Sequence, residues 1–537
     1  MGPQLSILSW CAAVFPLALI LFLMVWLRWS GAKAGFAGAA SAAAIGVAFF
    51  GANGEVLLIA LWRGVILTFH VLYIIWPALL LYQVVEESGA IRSIGAGVSS
   101  LTEDHILQLL ILGFAFSSFL QGVAGFGVPV AVVAPLLIGL GFPPVQATAV
   151  PLLGHAWAVT MGDLASSFQA LLAVTGLPAY SLGLWTALFL GISCVATGFC
   201  VAHLHAGFLP IRRCLGAILA LSLSMALTQF LLAYLQYWIL SSFCAGMVGV
   251  SLSLLVARAS RGEAPSFLGL FPTWPSPWGR RTPHREIAKT LRRGEMSFRL
   301  AFSAYYGLIV IVMAATLIPG IHDTLNALNT TLRFPHAQTS LGWETPASTY
   351  TLSLLGHPGA YLLCTVAVAW AIYRRAGFWQ ETKWRTVVTQ TVKDGWPTSM
   401  GVFFMVEMAM IMAYAGMTFL LAQGTLAVTG GAFPILSPFV GLLGCFMTGS
   451  NTNSNVLFGV LQRDAAVLLQ KDPVIIAAMQ TTGGSLGSMI APAKVLVASA
   501  TAGLQGKEGE VIRCTLKYCL VMTLFIGLLG WAILLFQ

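Results

Sequence analysis

Charge is what this chain has least of. Asp, Glu, Lys and Arg make up only 8% of its 537 residues, against about a quarter in a soluble domain, so water cannot be its main solvent. Acidic residues are the scarcer kind, 18 against 27 basic ones. The resulting charge of +9 does not imply nucleic acid, because the basic residues collect in loops between apolar runs. The chain also lacks a P-loop, an HExxH helix and a nucleophile elbow, and its nine histidines show no paired spacing suited to haem. ATP drive within this chain is thereby excluded, no enzyme chemistry is indicated, and no cofactor or metal is expected. The nine cysteines are odd in number and scattered, mostly within apolar stretches, and read as small packing residues rather than a disulfide framework.

Apolar residues fill the space that charge leaves, at 58% of the chain. Runs of roughly 20 residues, enough to cross a ~30 Å hydrocarbon core, recur from 5–27 to 520–536. The first run lacks a basic leader and a small-residue cleavage pattern, so it reads as a retained span. The fold class is an all-α polytopic membrane protein.

Loop charge sets the expected topology. The stretch from Arg258 to Arg299 holds nine basic residues against three Glu and belongs in the cytoplasm, dividing the chain into an N-terminal half 1–257, a basic linker 258–298 and a C-terminal half 299–537. Five basic residues between Arg374 and Lys393 mark another inside loop, which leaves the polar segment 322–353 outside. These constraints agree only if two apolar stretches turn back without crossing. One is 105–141, split by Gln121-Gly122-Val123-Ala124-Gly125-Phe126-Gly127; the other is 433–469, split by Gly449-Ser450-Asn451-Thr452-Asn453-Ser454-Asn455. The expected architecture is therefore about 12 transmembrane helices plus two re-entrant helical hairpins.

The hairpins occupy matching places in the two halves and open to opposite sides, as in an inverted-topology repeat. Short matches follow the same order: Phe119-Leu120-Gln121-Gly122 with Phe446-Met447-Thr448-Gly449, Pro144 with Pro473, and Gly154-His155 with Gly483-Gly484. Irregular backbone at membrane depth must be buried in protein or line a wet cavity, so the hairpin tips are candidate binding elements. Val128-Pro129 after Gly127 suits the start of one half-helix, and Ser454 or Asn455 could cap the other. Two helix N-termini would then present N–H groups and partial positive charge to a carboxylate. Glycines at 122, 125 and 127 serve close packing equally well, whereas six polar residues in succession at 450–455 do not.

Behind each hairpin, Gly154-His155 and Thr481-Thr482-Gly483-Gly484-Ser485 read as unwound midpoints of spans facing the same cavity. His155 is the leading titratable candidate for proton coupling, with a histidine bonded between helices as the rival. An Asp163–Lys494 ion pair is disfavoured by helical rise. Counted from the presumed breaks, Asp163 lies outward, toward water, and Lys494 inward, where it would snorkel to the cytoplasmic surface.

The segments 121–141 (QGVAGFGVPVAVVAPLLIGLG), 449–459 (GSNTNSNVLFG), 481–492 (TTGGSLGSMIAP) and 503–517 (GLQGKEGEVIRCTLK) resemble the signature segments of the lactate permease family. The resemblance implies a bacterial inner-membrane secondary carrier moving lactate, glycolate or related 2-hydroxymonocarboxylates with protons. It also implies kinship with elevator-like transporters that carry paired hairpins. Carried over position by position, the substrate-binding residues would be Gly122, Gly125, Gly127, Ser450, Asn451, Thr452, Ser454, Asn455, Thr481, Thr482, Gly483 and Gly484, with His155, Gln121 and Asp163 as coupling candidates. The chain departs from the family where Gln121 replaces a usual Glu, where Gly154 to Gly162 reads GHAWAVTMG, and at Ala491-Pro492-Ala493-Lys494. Another organic anion, such as a sulfonate or larger carboxylate, and sodium coupling stay open. A passive anion channel and a membrane-embedded enzyme subunit are the readings from other classes. The expected partners are the anion, the cation and the lipid bilayer; a homodimer is open, since elevator-like carriers often dimerise and no interface is marked.

Overall fold

The computed structural model describes residues 4–260 and 296–536, apart from Phe126 and Leu328. Most of the basic linker therefore lies outside the described residues. Among those described, eleven helical stretches are long and apolar enough to cross a bilayer. A twelfth is reached if Ser303–Leu317 and Pro319–Leu325, bent by 84°, count together. The expected all-α membrane architecture stands.

Helix ends follow local chemistry. The side chains of Ser6, Ser30, Asn53, Asp104 and Asp472 accept N–H groups at the starts of five helices, each satisfying a donor the first turn leaves free. Gly51, Gly176, Gly416 and Gly449 take left-handed conformations at helix boundaries.

Helix Gly54–Glu87, at 34 residues, packs along Lys383–Tyr414, at 32 residues. Trp76 donates to the Ser399 hydroxyl at 2.9 Å and Gln83 to Asp394 at 3.3 Å across this pair. Helix Gly31–Phe50 lies on the same Lys383–Tyr414 helix. A second cluster gathers Phe433–Thr448, Asn451–Leu468, Pro473–Gly487 and Glu508–Leu535, and it reaches the N-terminal half through Ala179–Ala206 and Ser166–Thr175.

The segment expected outside the membrane is not wholly irregular. Asn329–Phe334 pairs antiparallel with Ser348–Ser353, and Ala337–Gln338 with Glu344–Thr345. Alternating Thr, Tyr and Leu in these runs suit a half-exposed ribbon. The polarity of the segment was legible in the sequence, but its pairing was not.

Candidate functional site

The first tip breaks where the sequence places it. Helix His105–Val123 stops at Ala124, which turns extended, and Gly127 takes φ +88°, a conformation open to glycine without a Cβ penalty. Val128–Gly139 then begins with proline in its first turn. Gly125 faces Asp163: its N–H donates to the carboxylate, and Oδ2 lies 3.5 Å from where a Cβ on Gly125 would sit. The Gln121 amide borders the same spot, 3.4 Å from that Cβ position. Gly122 does not belong to the tip. A side chain there would collide with the Phe243 backbone on Trp238–Ser260, so close packing explains this glycine.

The second break is shorter than the run of six polar residues suggests. It is confined to Gly449 and Ser450, and the Ser450 hydroxyl accepts the Asn453 N–H at 3.4 Å. The cap is thus Ser450 rather than Ser454 or Asn455, because Asn451, Thr452, Ser454 and Asn455 find side-chain partners on neighbouring segments and can stay helical. Asn451 donates to the Thr160 hydroxyl at 2.9 Å and to the Thr481 carbonyl at 3.3 Å. Asn455 donates to the Thr481 hydroxyl at 2.9 Å and to the Ser167 carbonyl at 2.8 Å. Thr452 and Ser167 share a hydroxyl bond at 2.9 Å, and Ser454 donates to the Gly441 carbonyl at 2.7 Å. Asn451, Thr452, Asn455 and Thr481 thereby form one buried network with Thr160 and Ser167.

The segments behind the hairpins differ from each other. The helix Pro144–His155 ends at His155, as expected, and gives way to irregular backbone that holds Thr160 and Asp163. Thr481 to Ser485, however, are helical within Pro473–Gly487; the break comes later, ahead of Pro492. The glycines serve approach rather than unwinding. A Cβ on Gly483 would collide with the Pro438 carbonyl, as one on Gly154 would with the Gly113 carbonyl. Thr482 donates to Ala478 of its own helix at 2.8 Å and does not join the network.

Two placements argued from helical rise are overturned. Asp163 is 6% exposed and lies under the first tip, not in water at an outer end. Lys494 is 7% exposed and does not snorkel; it interacts electrostatically with Asp163. The rise of 1.5 Å per residue holds only along an unbroken helix. Here Asp163, Leu164 and Ala165 run through positive φ of 49°, 54° and 63°. Each such non-glycine residue costs of order 1–3 kcal/mol, strain that persists only where surrounding structure enforces it. His155 is fully buried and bonds through Nδ1 to the Pro151 carbonyl, while its Nε2 has no partner.

The helix Pro492–Thr501 joins the two tips. Its Val497 lies 3.5 Å from the Cβ position of Gly127, and its Ala493 lies 3.0 Å from that of Gly449. The Oδ1 atoms of Asn451 and Asn455, within the buried network, and Gln121 Oε1, beside Gly125, have no hydrogen-bond partner among the described residues.

Sequence reasoning passed over Thr160 and Ser167, whose roles arise from pairing with residues about 300 positions away. It also passed over Glu407, 2% exposed in Lys383–Tyr414 with neither carboxylate oxygen hydrogen-bonded. A lone Glu in the apolar run GVFFMVEMAM was the available signal.

The chain is similar to known membrane permeases. The family profile described as L-lactate permease matches residues 9–536. The L-lactate permease of Bacillus subtilis (strain 168) is 30% identical, over 97% of this chain and 95% of its own. Glycolate permease GlcA of Escherichia coli (strain K12) is 29% identical, over 89% and 86% respectively. The solved YdaH transporter of Alcanivorax borkumensis is similar at 15% identity and a TM-score of 0.45, covering 86% of this chain and 85% of its own. With a profile match over nearly its whole length and eleven apolar helices, the chain is a multi-pass bacterial inner-membrane transporter that belongs to the L-lactate permease family.

Proposed function

We propose that the chain is a secondary carrier that moves a small 2-hydroxymonocarboxylate, such as lactate or glycolate, together with a proton. The observation that carries this reading is the meeting of two broken helices on Pro492–Thr501, beside the network of Asn451, Thr160 and Thr481. Val128–Gly139 and Asn451–Leu468 begin at these tips, so their N-terminal N–H groups and positive dipole ends favour an anion. Threonine and asparagine side chains beside them suit a hydroxyl on the neighbouring carbon. The printed names of relatives, L-lactate permease and glycolate permease, agree with such a substrate.

The two broken segments are taken as re-entrant hairpins of an inverted repeat. The arm Val128–Gly139, at 12 residues and ~18 Å, is too short to cross. The alike contacts of Gly154 on Gly113 and Gly483 on Pro438 support a repeat. Asn451, Thr452 and Asn455 are nearly fully buried, so a substrate reaches them only after a movement, for which an elevator-like displacement of the hairpin cluster against the paired long helices is the natural candidate. Uptake of labelled lactate and glycolate into proteoliposomes that are acid outside and alkaline inside tests the reading. A purified, monodisperse protein that accumulates neither would refute it.

Sodium coupling is the second reading, favoured by the unpartnered Oδ1 atoms of Asn451, Asn453 and Asn455, since side-chain carbonyl oxygens suit a hard cation. Accumulation that needs a sodium gradient and ignores the pH gradient would replace the proton by sodium.

A further inference from the structure

Lys494 is the least expected group in the site. It stands in the first turn of Pro492–Thr501, between Ala493 against Gly449 of one tip and Val497 toward Gly127 of the other. Its side chain is more than nine-tenths buried, and among the described residues no acceptor lies within hydrogen-bonding reach of its ammonium and no carboxylate within 4 Å. Three titratable groups from other elements interact with it electrostatically: Asp163 from the irregular segment behind the first hairpin, His155 from Pro144–His155, and Cys445 from Phe433–Thr448. Asp163 is the one carboxylate among them. It accepts the Ser166 hydroxyl at 3.2 Å.

A cation on a side chain buried this far is costly unless a charge meets it. Lys494 lies where the two tips bring helix N-termini together, so the anion that suits those N-termini also suits the ammonium. Charge balance then fixes what else happens. With the site empty, Lys494 and Asp163 sum to zero. When a monocarboxylate arrives, the sum falls to −1 among largely buried groups, and one proton added to an Asp163 oxygen restores neutrality.

We propose that Lys494 is the cationic anchor for the substrate carboxylate, and that Asp163, its counter-ion in the empty site, takes up one proton from the entry side as the anion binds. The cycle is electroneutral, with one proton and one anion entering and leaving together; no bond of the substrate is made or broken. The proposal rests on the carrier reading above and adds to it the charged partner and the coupling group. His155, engaged by the Pro151 carbonyl, needs no part in proton uptake.

The test compares the full-length protein with K494M, K494R and D163N in proteoliposomes, using labelled L-lactate and glycolate. K494M is expected to raise the KM by about thirtyfold or more, as removal of one partner of a buried charge pair does, with K494R recovering part of the loss. The parent should respond to a pH gradient but not to a potassium diffusion potential, while D163N should exchange lactate for lactate yet fail to accumulate it under a pH gradient. Parental KM in K494M, or parental pH-driven accumulation in D163N, would overturn the proposal. Folding is checked independently by monodisperse elution and thermal melts: K494M, which leaves Asp163 without its counter-charge, is expected to melt below the parent but still in one cooperative transition. Should the parent carry neither substrate, the carrier reading fails on its own. Thermal shift with acetate, propionate and methanesulfonate then still reads the anchor: stabilisation lost in K494M keeps it, and equal stabilisation in both proteins ends it.

Discussion

Asn451, at the start of a helix in the C-terminal half, donates its side-chain amide to the hydroxyl of Thr160, which lies 291 positions earlier in irregular backbone. The bond ties the second tip to the segment behind the first. Removing it by Asn451→Ala takes a donor from the buried Thr160 hydroxyl, which still donates to the Thr481 carbonyl at 3.0 Å, at a cost of about 1–3 kcal/mol. Uptake at low substrate should fall by roughly tenfold to a hundredfold on that basis, with His155→Ala measured beside it. An Asn451→Ala protein with parental uptake would remove this network from the site.

Gly127 stands at φ +88°. Gly127→Ala places a Cβ in a conformation that costs about 1–2 kcal/mol for an L-residue and brings it to the tip beside Val497. A fall of a few degrees in melting temperature is expected, with a larger loss of transport than of stability because the strain falls on the binding element. Equal, small losses in both would mean that the tip tolerates side chains.

Gly64 meets Glu407 across the long helix pair, and a Cβ on Gly64 would collide with the Glu407 carboxylate. Gly64→Ala should therefore destabilise by about 1–3 kcal/mol through overpacking. The double variant Gly64→Ala/Glu407→Ala should recover much of that loss in thermal melts, since the collision is gone. No recovery would locate the clash elsewhere.

His357 caps Pro358–Arg375 by accepting the Gly359 N–H through Nδ1 at 3.2 Å, and its Nε2 lies 3.1 Å from His70 Nδ1. Burial, with His70 adding to it, holds its pKa down from 6.5 to about 3. A depressed histidine binds its proton more readily when unfolded. Its contribution to stability is thus whole above pH 6.5 and is lost as pH falls toward 3. Melting temperature should drop on acidification through that window, and less steeply in His357→Asn, which can still cap the helix. Parallel curves for the two proteins would exclude His357 as the acid-sensitive group.

Burial of long apolar runs, the break at Gly127-Val128-Pro129 and the polar importance of 450–455 could be read from the chain, because each is a local consequence of residue type against an apolar background. The places of Asp163 and Lys494 could not. Both were reckoned by helical rise through segments that are not helical, and three successive left-handed residues at 163–165 are enforced by packing that no local pattern records. Gly122 likewise looked like a tip residue until Phe243 was seen against it.

The sequence by itself determined that the chain lives in a bilayer, that a helix breaks ahead of Gly127, and which family its motifs resemble, since solvent preference and this interruption are decided within a few residues. Only the tertiary structure decided that Asn451 meets Thr160, that Gly125 meets Asp163, and that Lys494 sits buried between the tips rather than at the membrane surface. Those relations join positions from about forty to several hundred residues apart, and they depend on how broken segments turn inside a packed bundle.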